Sequence, residues 1–221
     1  MRKPLTFTIL VLSLSVPSLA LKKADYVPLQ QEIAKYEEEG RWEECLQALF
    51  KYEQVTASDP DQNIYTHIGS CYYHLGDFDK AKEYFDKSIA TAPNLWWSPF
   101  YLGTIESSRG NYKKAAAWFN YALGATDLKA ESNVVMIKFT SLANDFSTYQ
   151  AGGGIDKEAL LEECEEMERL IVANPEACEM TFRGGGSSCS TNGAFMLAQI
   201  YEYRRLIDAS PSVPLSEGAN K

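Results

Sequence analysis

Apolar residues recur at three- and four-residue steps along most of this chain, the spacing of helices that bury one face. Ile33, Ala34 and Tyr36 mark such a helix over 29–39. Val135, Met136, Phe139, Leu142 and Ala143 mark one over 132–146, and Leu160, Leu161, Cys164, Met167, Leu170 and Ile171 one over 156–173. A last helix over 193–209 carries Phe195, Met196, Ile200, Tyr203 and Leu206 on one side. Gly40, Gly76 and Gly110 fall where helices should stop, and Asp59-Pro60, Pro93 and Asn174-Pro175 close others. Gly40 and Pro60 are 20 residues apart where Gly76 and Pro93 are 17, so the early helix should run about one turn longer. Ser98-Pro99 predicts a helix start with the serine as cap and the proline in the first helical position. The stretch from Tyr149 to Gly154 predicts a flexible turn, and the tail from Ser210, with Pro211 and Pro214, predicts disorder.

The pattern also repeats. Leu102-Gly103 follows Ile68-Gly69 by 34 residues, Gly110-Asn-Tyr112 follows Gly76-Asp-Phe78 by the same interval, and Ala115 and Phe119 follow Ala81 and Phe85. Gly69 and Gly103 sit inside predicted helices, where glycine costs about 1 kcal/mol, so a close helix contact is the expected reason for both. A 34-residue period built of two amphipathic helices resembles the tetratricopeptide repeat family. The resemblance implies an all-α, right-handed superhelical stack of three to four helix pairs with a closing helix. The units fall at about 26–61, 62–95 and 96–128, with a degenerate one at 129–175 and a capping helix at 193–209. Together they form one domain over 21–209, followed by a tail over 210–221.

In that family the first helices of successive units line a concave groove. The resemblance places Asn63, Thr66, Ser70 and Tyr73 there, then Trp97, Phe100, Thr104 and Ser107, then Glu131, Val134 and Lys138. Rings beside small hydroxyls suit an extended peptide. The family's basic clamp for a terminal carboxylate is missing, since only Asn63 and Lys138 fit it. The alternative for Trp96, Trp97 and Phe100 is packing between units, and the sequence leaves both open.

Ahead of the repeats, Arg2 and Lys3 precede an apolar run from Leu5 to Val16, and Ser18-Leu-Ala20 offers small residues for cleavage. Residues 1–20 therefore read as a signal peptide, too short to span a bilayer comfortably. The expected location is the periplasm or the extracellular space. The chain carries 21 basic and 30 acidic residues, net −9. Loss of Arg2 and Lys3 with the signal leaves 19 against 30, or −11, a balance that disfavours nucleic acid and anionic lipid as partners. Of the five cysteines, Cys178 and Cys189 flank a glycine-rich loop and are the pair expected to bridge. Cys45 matches the small core positions Ala81 and Ala115, and a Cys45 to Cys71 bridge is a further possible pairing.

Chemistry has little footing. His67, Cys71 and His74 share one stripe of a helix, but three ligands there spread over about 10 Å, so no metal is expected. The only histidines lie far in sequence from the Cys189 loop, and the glycine runs at 152–154 and 184–186 lack the lysine and hydroxyl of a phosphate loop. The acidic run over 162–166 reads as a solvated helix face. No catalytic residue and no cofactor are expected. The expected function is a non-catalytic scaffold or adaptor that holds a protein or peptide in the groove. Two other readings stand beside it: a redox-responsive thiol protein acting through the Cys178–Cys189 loop, and a small-ligand carrier with its aromatic site around Trp97 and Phe100.

Overall fold

The computed structural model describes residues 26–56, 61, 63–125, 128, 130–176, 180–182, 189–191 and 193–210, with backbone alone at 180–182 and 189–191. Residues 1–20, expected as a signal peptide, residues 211–221 of the expected tail, and Cys178 lie outside the described residues, as does the side chain of Cys189.

Among the described residues the chain forms nine helices: α1 (Val27–Glu39), α2 (Trp42–Val55), α3 (Ile64–His74), α4 (Phe78–Thr91), α5 (Trp97–Ser108), α6 (Tyr112–Leu123), α7 (Glu131–Gln150), α8 (Lys157–Ala173) and α9 (Gly193–Ala209). Each packs on the next from α1 to α9, and a short antiparallel ribbon of β1 (Met180–Phe182) and β2 (Cys189–Thr191) lies in the connection between α8 and α9. The sequence pattern predicted only a glycine-rich loop there. First helices also touch across the pairs, α3 with α5 and α5 with α7, which gives the stack a face lined by odd-numbered helices.

The repeated residues explain the repeated geometry. A Cβ at Gly69 would lie 2.6 Å from the Phe85 ring, and one at Gly103 would lie 2.5 Å from the Phe119 ring. These two helix pairs, α3 with α4 and α5 with α6, are thus each closed by a phenyl ring pressed onto a glycine backbone, with Ala81 and Ala115 buried beside it. Gly76 and Gly110 take φ of +79° and +75°, conformations that side chains resist. They reverse the chain after α3 and α5 with the same paired bonds, Gly76 N–H to Tyr73 O with Asp77 N–H to Tyr72 O, and Gly110 N–H to Ser107 O with Asn111 N–H to Glu106 O.

Several local expectations are corrected. Helix α2 is as long as α4, 14 residues each, so it does not run the expected turn longer. The Thr56 hydroxyl bonds back to Tyr52 O at 2.7 Å where α2 ends. Helix α5 begins at Trp97, and Ser98 is no cap: its buried hydroxyl lies 2.8 Å from Ser88 Oγ and 3.0 Å from Thr66 Oγ1. Pro99 sits in the first turn, where its missing donor costs no helical bond. Helix α7 runs on to Gln150, because Phe146 and Tyr149 extend its apolar stripe into the core shared with α8 and α9. In α9 Phe195 turns outward, and Met196, Ile200 and Ile207 are the buried residues.

Candidate functional site

The odd-numbered helices enclose a groove of about 300 Å³ between α1, α3 and α5, with Trp42 of α2 at its end. One wall is acidic, formed by Glu37 and Glu38 near the end of α1. The opposite wall is aromatic. Trp97 remains 37 % exposed, stacks on Trp96 at 3.7 Å and lies 6.2 Å from the near-parallel ring of Tyr101. Tyr101 is fixed in turn by stacking on Phe85 at 5.1 Å, so the Gly69–Phe85 contact that closes a repeat also seats a groove residue. His67 and Ser70 form the floor, and His74 lies flat on Trp42 with ring centres 4.1 Å apart.

The charged groups of the groove are coupled. His67 Nδ1 lies 2.6 Å from Glu37 Oε1, joining α3 to α1. Burial works against a charged His67 ring, but the Glu37 hydrogen bond and the charges of Glu37 and Asp61 outweigh it and hold its pKa above the ordinary value. Burial keeps His74 below its ordinary value, with Glu37 pulling weakly the other way. Burial pushes the Tyr101 phenol up to about 12, eased by the hydrogen bond that Ser70 donates at 3.4 Å. Among the described residues the groove lining includes no lysine or arginine.

The groove residues expected from the sequence fall in different places. Ser70 and Trp97 line this groove, and Tyr73 lies beside it, tilted on Tyr101 at 4.9 Å. Thr66 reaches its edge, but its hydroxyl belongs to a buried triad with Ser88 and Ser98. Phe100 is inside, 3 % exposed and packed on Trp96 and Phe119, and Trp96 is equally buried. Packing thus takes Trp96 and Phe100, while Trp97 alone of the three faces the groove. Asn63 is exposed ahead of α3, with its N–H donated to Asp61, and the Thr104 hydroxyl turns back to Tyr101 O. Lys138 belongs to another cleft, between α6, α7 and α8, where it pairs with Glu166 at 2.9 Å.

Ala34, Glu37, Glu38, Trp42, His67, His74 and Tyr101 also line the groove and were not assigned to it from the sequence. The seven-residue spacing of His67 and His74 did signal that they share a helix face. Their company in space is different from a metal site: His67 turns to Glu37, His74 to Trp42, and Cys71 is buried among core residues. Cys45, Cys71 and Cys164 are free thiols in the core. Burial pushes Cys164 up to about 11 despite the nearby Arg204. The Cys178–Cys189 pairing lies outside the described residues.

A stack of antiparallel helix pairs with one face of first helices is the architecture of a helical-repeat scaffold, the class of protein that binds other proteins over an extended surface. Residues 63–95 match the family model of the tetratricopeptide repeat. Among solved structures the chain is similar to MamA AMB-1 in a P212121 crystal form, at 17 % identity and a TM-score of 0.50, over 87 % of this chain and 96 % of that one. It is also similar to MamA MSR-1 in a C2 form, at 17 % identity and a TM-score of 0.49, over 83 % and 97 % of the two chains. Identity this low speaks to the fold alone. No curated protein matches the sequence. The chain therefore carries a tetratricopeptide repeat within a tetratricopeptide-like helical stack, and such a fold points to protein partners. Among the described residues no helix is long and apolar enough to cross a membrane.

Proposed function

We propose that the chain is a non-catalytic interaction scaffold that holds a segment of a partner protein in the groove between α1, α3 and α5, and that it works outside the cytoplasm after removal of residues 1–20. The observation that carries this reading is Trp97, a large ring held 37 % exposed over a concave site by two aromatic neighbours. Exposed rings of this kind supply contact area at little entropic cost, because their neighbours already hold them in place. The apolar run before Ala20 supports export.

The test is affinity capture from envelope and culture-medium fractions of the source cells, comparing the native chain with a Trp97→Ala, His74→Ala variant. Both side chains line the groove, and neither closes a helix pair. The expected result is a specific protein retained by the native chain and lost by the variant, with the helical circular-dichroism signal intact. Equal retention by both chains would move the binding face elsewhere on the stack.

A further inference from the structure

We propose that the Glu37–His67 hydrogen bond is a pH-sensitive strap on the face of first helices, tying α1 to α3 while the His67 ring is charged and slackening as the ring loses its proton. The strap goes beyond the groove reading above and needs no partner in the groove to act.

Its place in the fold sets what it holds. Glu37 lies in the last turn of α1, the first helix of the described residues, and His67 in the first turn of α3. The His67 Nδ1–H donates to Glu37 Oε1 at 2.6 Å, joining residues 30 positions apart. Two hollows meet at this bond. The groove of about 300 Å³ and a second hollow of about 190 Å³ share Ala34, Glu37 and His67 among their described lining residues, and the second continues over Gln30, Leu49, Tyr52 and Ile64 toward α2. The bonded pair therefore stands between the hollows and fixes how α1 lies against α3 there. Toward α2 the same helix is tied by Gln30 Nε2, which donates to the Tyr52 hydroxyl at 2.8 Å. Gln30 does not titrate, and burial holds the Tyr52 phenol above its ordinary value, so that tie keeps its strength while the strap weakens.

The His67 ring is half-exposed, so it exchanges protons with solvent without any opening of the stack. Burial disfavours its charge, but the Glu37 bond and the charges of Glu37 and Asp61 outweigh burial. A group held above its unfolded pKa gives its full stabilisation below the unfolded value, about 6.5 for histidine, and loses it as pH rises through the folded value. Once neutral, the ring no longer attracts Glu37 and Asp61 as a cation, and the strap slackens across that window. The titratable groups around it among the described residues are Glu37 and Glu38 on α1, Tyr52 on α2, Asp61 ahead of α3, His74 on α3 and Tyr101 on α5. Burial keeps His74 below its ordinary value and raises Tyr52 and Tyr101, the latter to about 12, so none of these three exchanges its proton where His67 does.

The experiment follows the ring Cε1–H resonances of the two histidines in the full chain by NMR from about pH 5 to 9. His67 should titrate above His74. Glu37→Gln should lower the His67 midpoint by about one unit or more. Glu162→Gln removes the same charge from an exposed position on α8 and should leave that midpoint unchanged. Hydrogen exchange, corrected for its intrinsic pH dependence, gives the second readout. Opening of the α1 amides should rise with pH through the His67 titration, by up to about 10-fold for a one-unit shift, while α6, which lines neither hollow, stays level. His67→Gln keeps a donor for Glu37 without a titratable ring and should flatten the rise in α1; it gives the comparison alone should Glu37→Gln disturb folding. A His67 midpoint that Glu37→Gln does not move would overturn the bond. A pH-independent α1, or a rise that persists in His67→Gln, would overturn the strap. Neither readout involves a partner, so failure of the strap leaves the groove to be judged by the capture experiment.

Discussion

At the scale of single residues, two glycines decide whether helices can meet. The hydrogen that Gly69 carries in place of a side chain lets the Phe85 ring sit on the α3 backbone, and a methyl group there would be 2.6 Å from a ring carbon. Phe85 cannot swing away freely, because Tyr101 stacks on its other side at 5.1 Å. Gly69→Ala is therefore expected to cost about 1 to 3 kcal/mol of unfolding free energy by overpacking, even though alanine is the better helix former. Denaturant unfolding of Gly69→Ala, Phe85→Leu and the double variant checks this. The double variant should be more stable than the sum of the single losses predicts, because leucine leaves room for the methyl group. Strict additivity would mean the contact is not the reason for the glycine.

At the scale of elements, α4 and α5 belong to different repeats, and a buried carboxylate helps tie them. Glu106 is 3 % exposed and accepts from Lys82 Nζ at 3.0 Å and from Asn111 Nδ2 at 2.8 Å. Burial works to raise its pKa, but the bonds from Lys82 and Asn111 and the charges of Lys82 and Lys114 outweigh burial and hold the carboxyl below its ordinary value. A group whose folded pKa is depressed contributes stability above its unfolded pKa, and that contribution is lost as pH falls through the folded value. Glu106→Gln should cost about 1 to 2 kcal/mol at neutral pH, the range for a hydrogen bond to a charged group. The gap to the native chain should close as pH falls below about 4. Chemical unfolding of both chains across that range measures it, and a gap independent of pH would assign the cost to packing.

The same scale shows why elements were easier to read than their ends. The heptad-like stripes and the Gly76 and Gly110 turns mark α3 to α6 because backbone conformation there is local. The length of α7 is not local: it continues past Phe146 because that residue and Tyr149 find α8 and α9 to pack on. Ser98 looked like a cap, and its chemistry allows that role, but Ser88 and Thr66 from other helices capture its hydroxyl.

At the scale of the whole molecule, the stack is held by successive cores rather than one. Val135, Leu142, Phe146, Leu160, Cys164, Met167, Ile171, Met196, Ile200 and Ile207 form the core of α7, α8 and α9, while Leu29, Ile33, Trp42, Leu49, Ile68 and their neighbours form that of α1, α2 and α3. In such a stack each pair is stabilised chiefly by its neighbours, so damage should stay near where it is made. Ile200→Ala, at a fully enclosed position, should cost about 2 to 5 kcal/mol. Native-state hydrogen exchange should then rise in α7 to α9 well before it rises in α3 and α4. A uniform rise along the chain would show a single cooperative unit instead.

What the sequence by itself determined is the repeat: helix periodicity, the 34-residue interval, the glycine turns and the small residues where helices touch. These are legible because each follows from backbone sterics or from one residue meeting the same repeat place in its neighbour. Only the tertiary structure decided the site. Glu37 and Trp97 are sixty positions apart in sequence, and nothing in the pattern around either says that they face each other across one groove. The family likeness pointed to first helices in general, yet packing alone sorted Trp97 to the surface and Phe100 to the core, three residues apart on the same helix. That choice depends on which face of α5 meets α6 and α7, a property of the assembled stack.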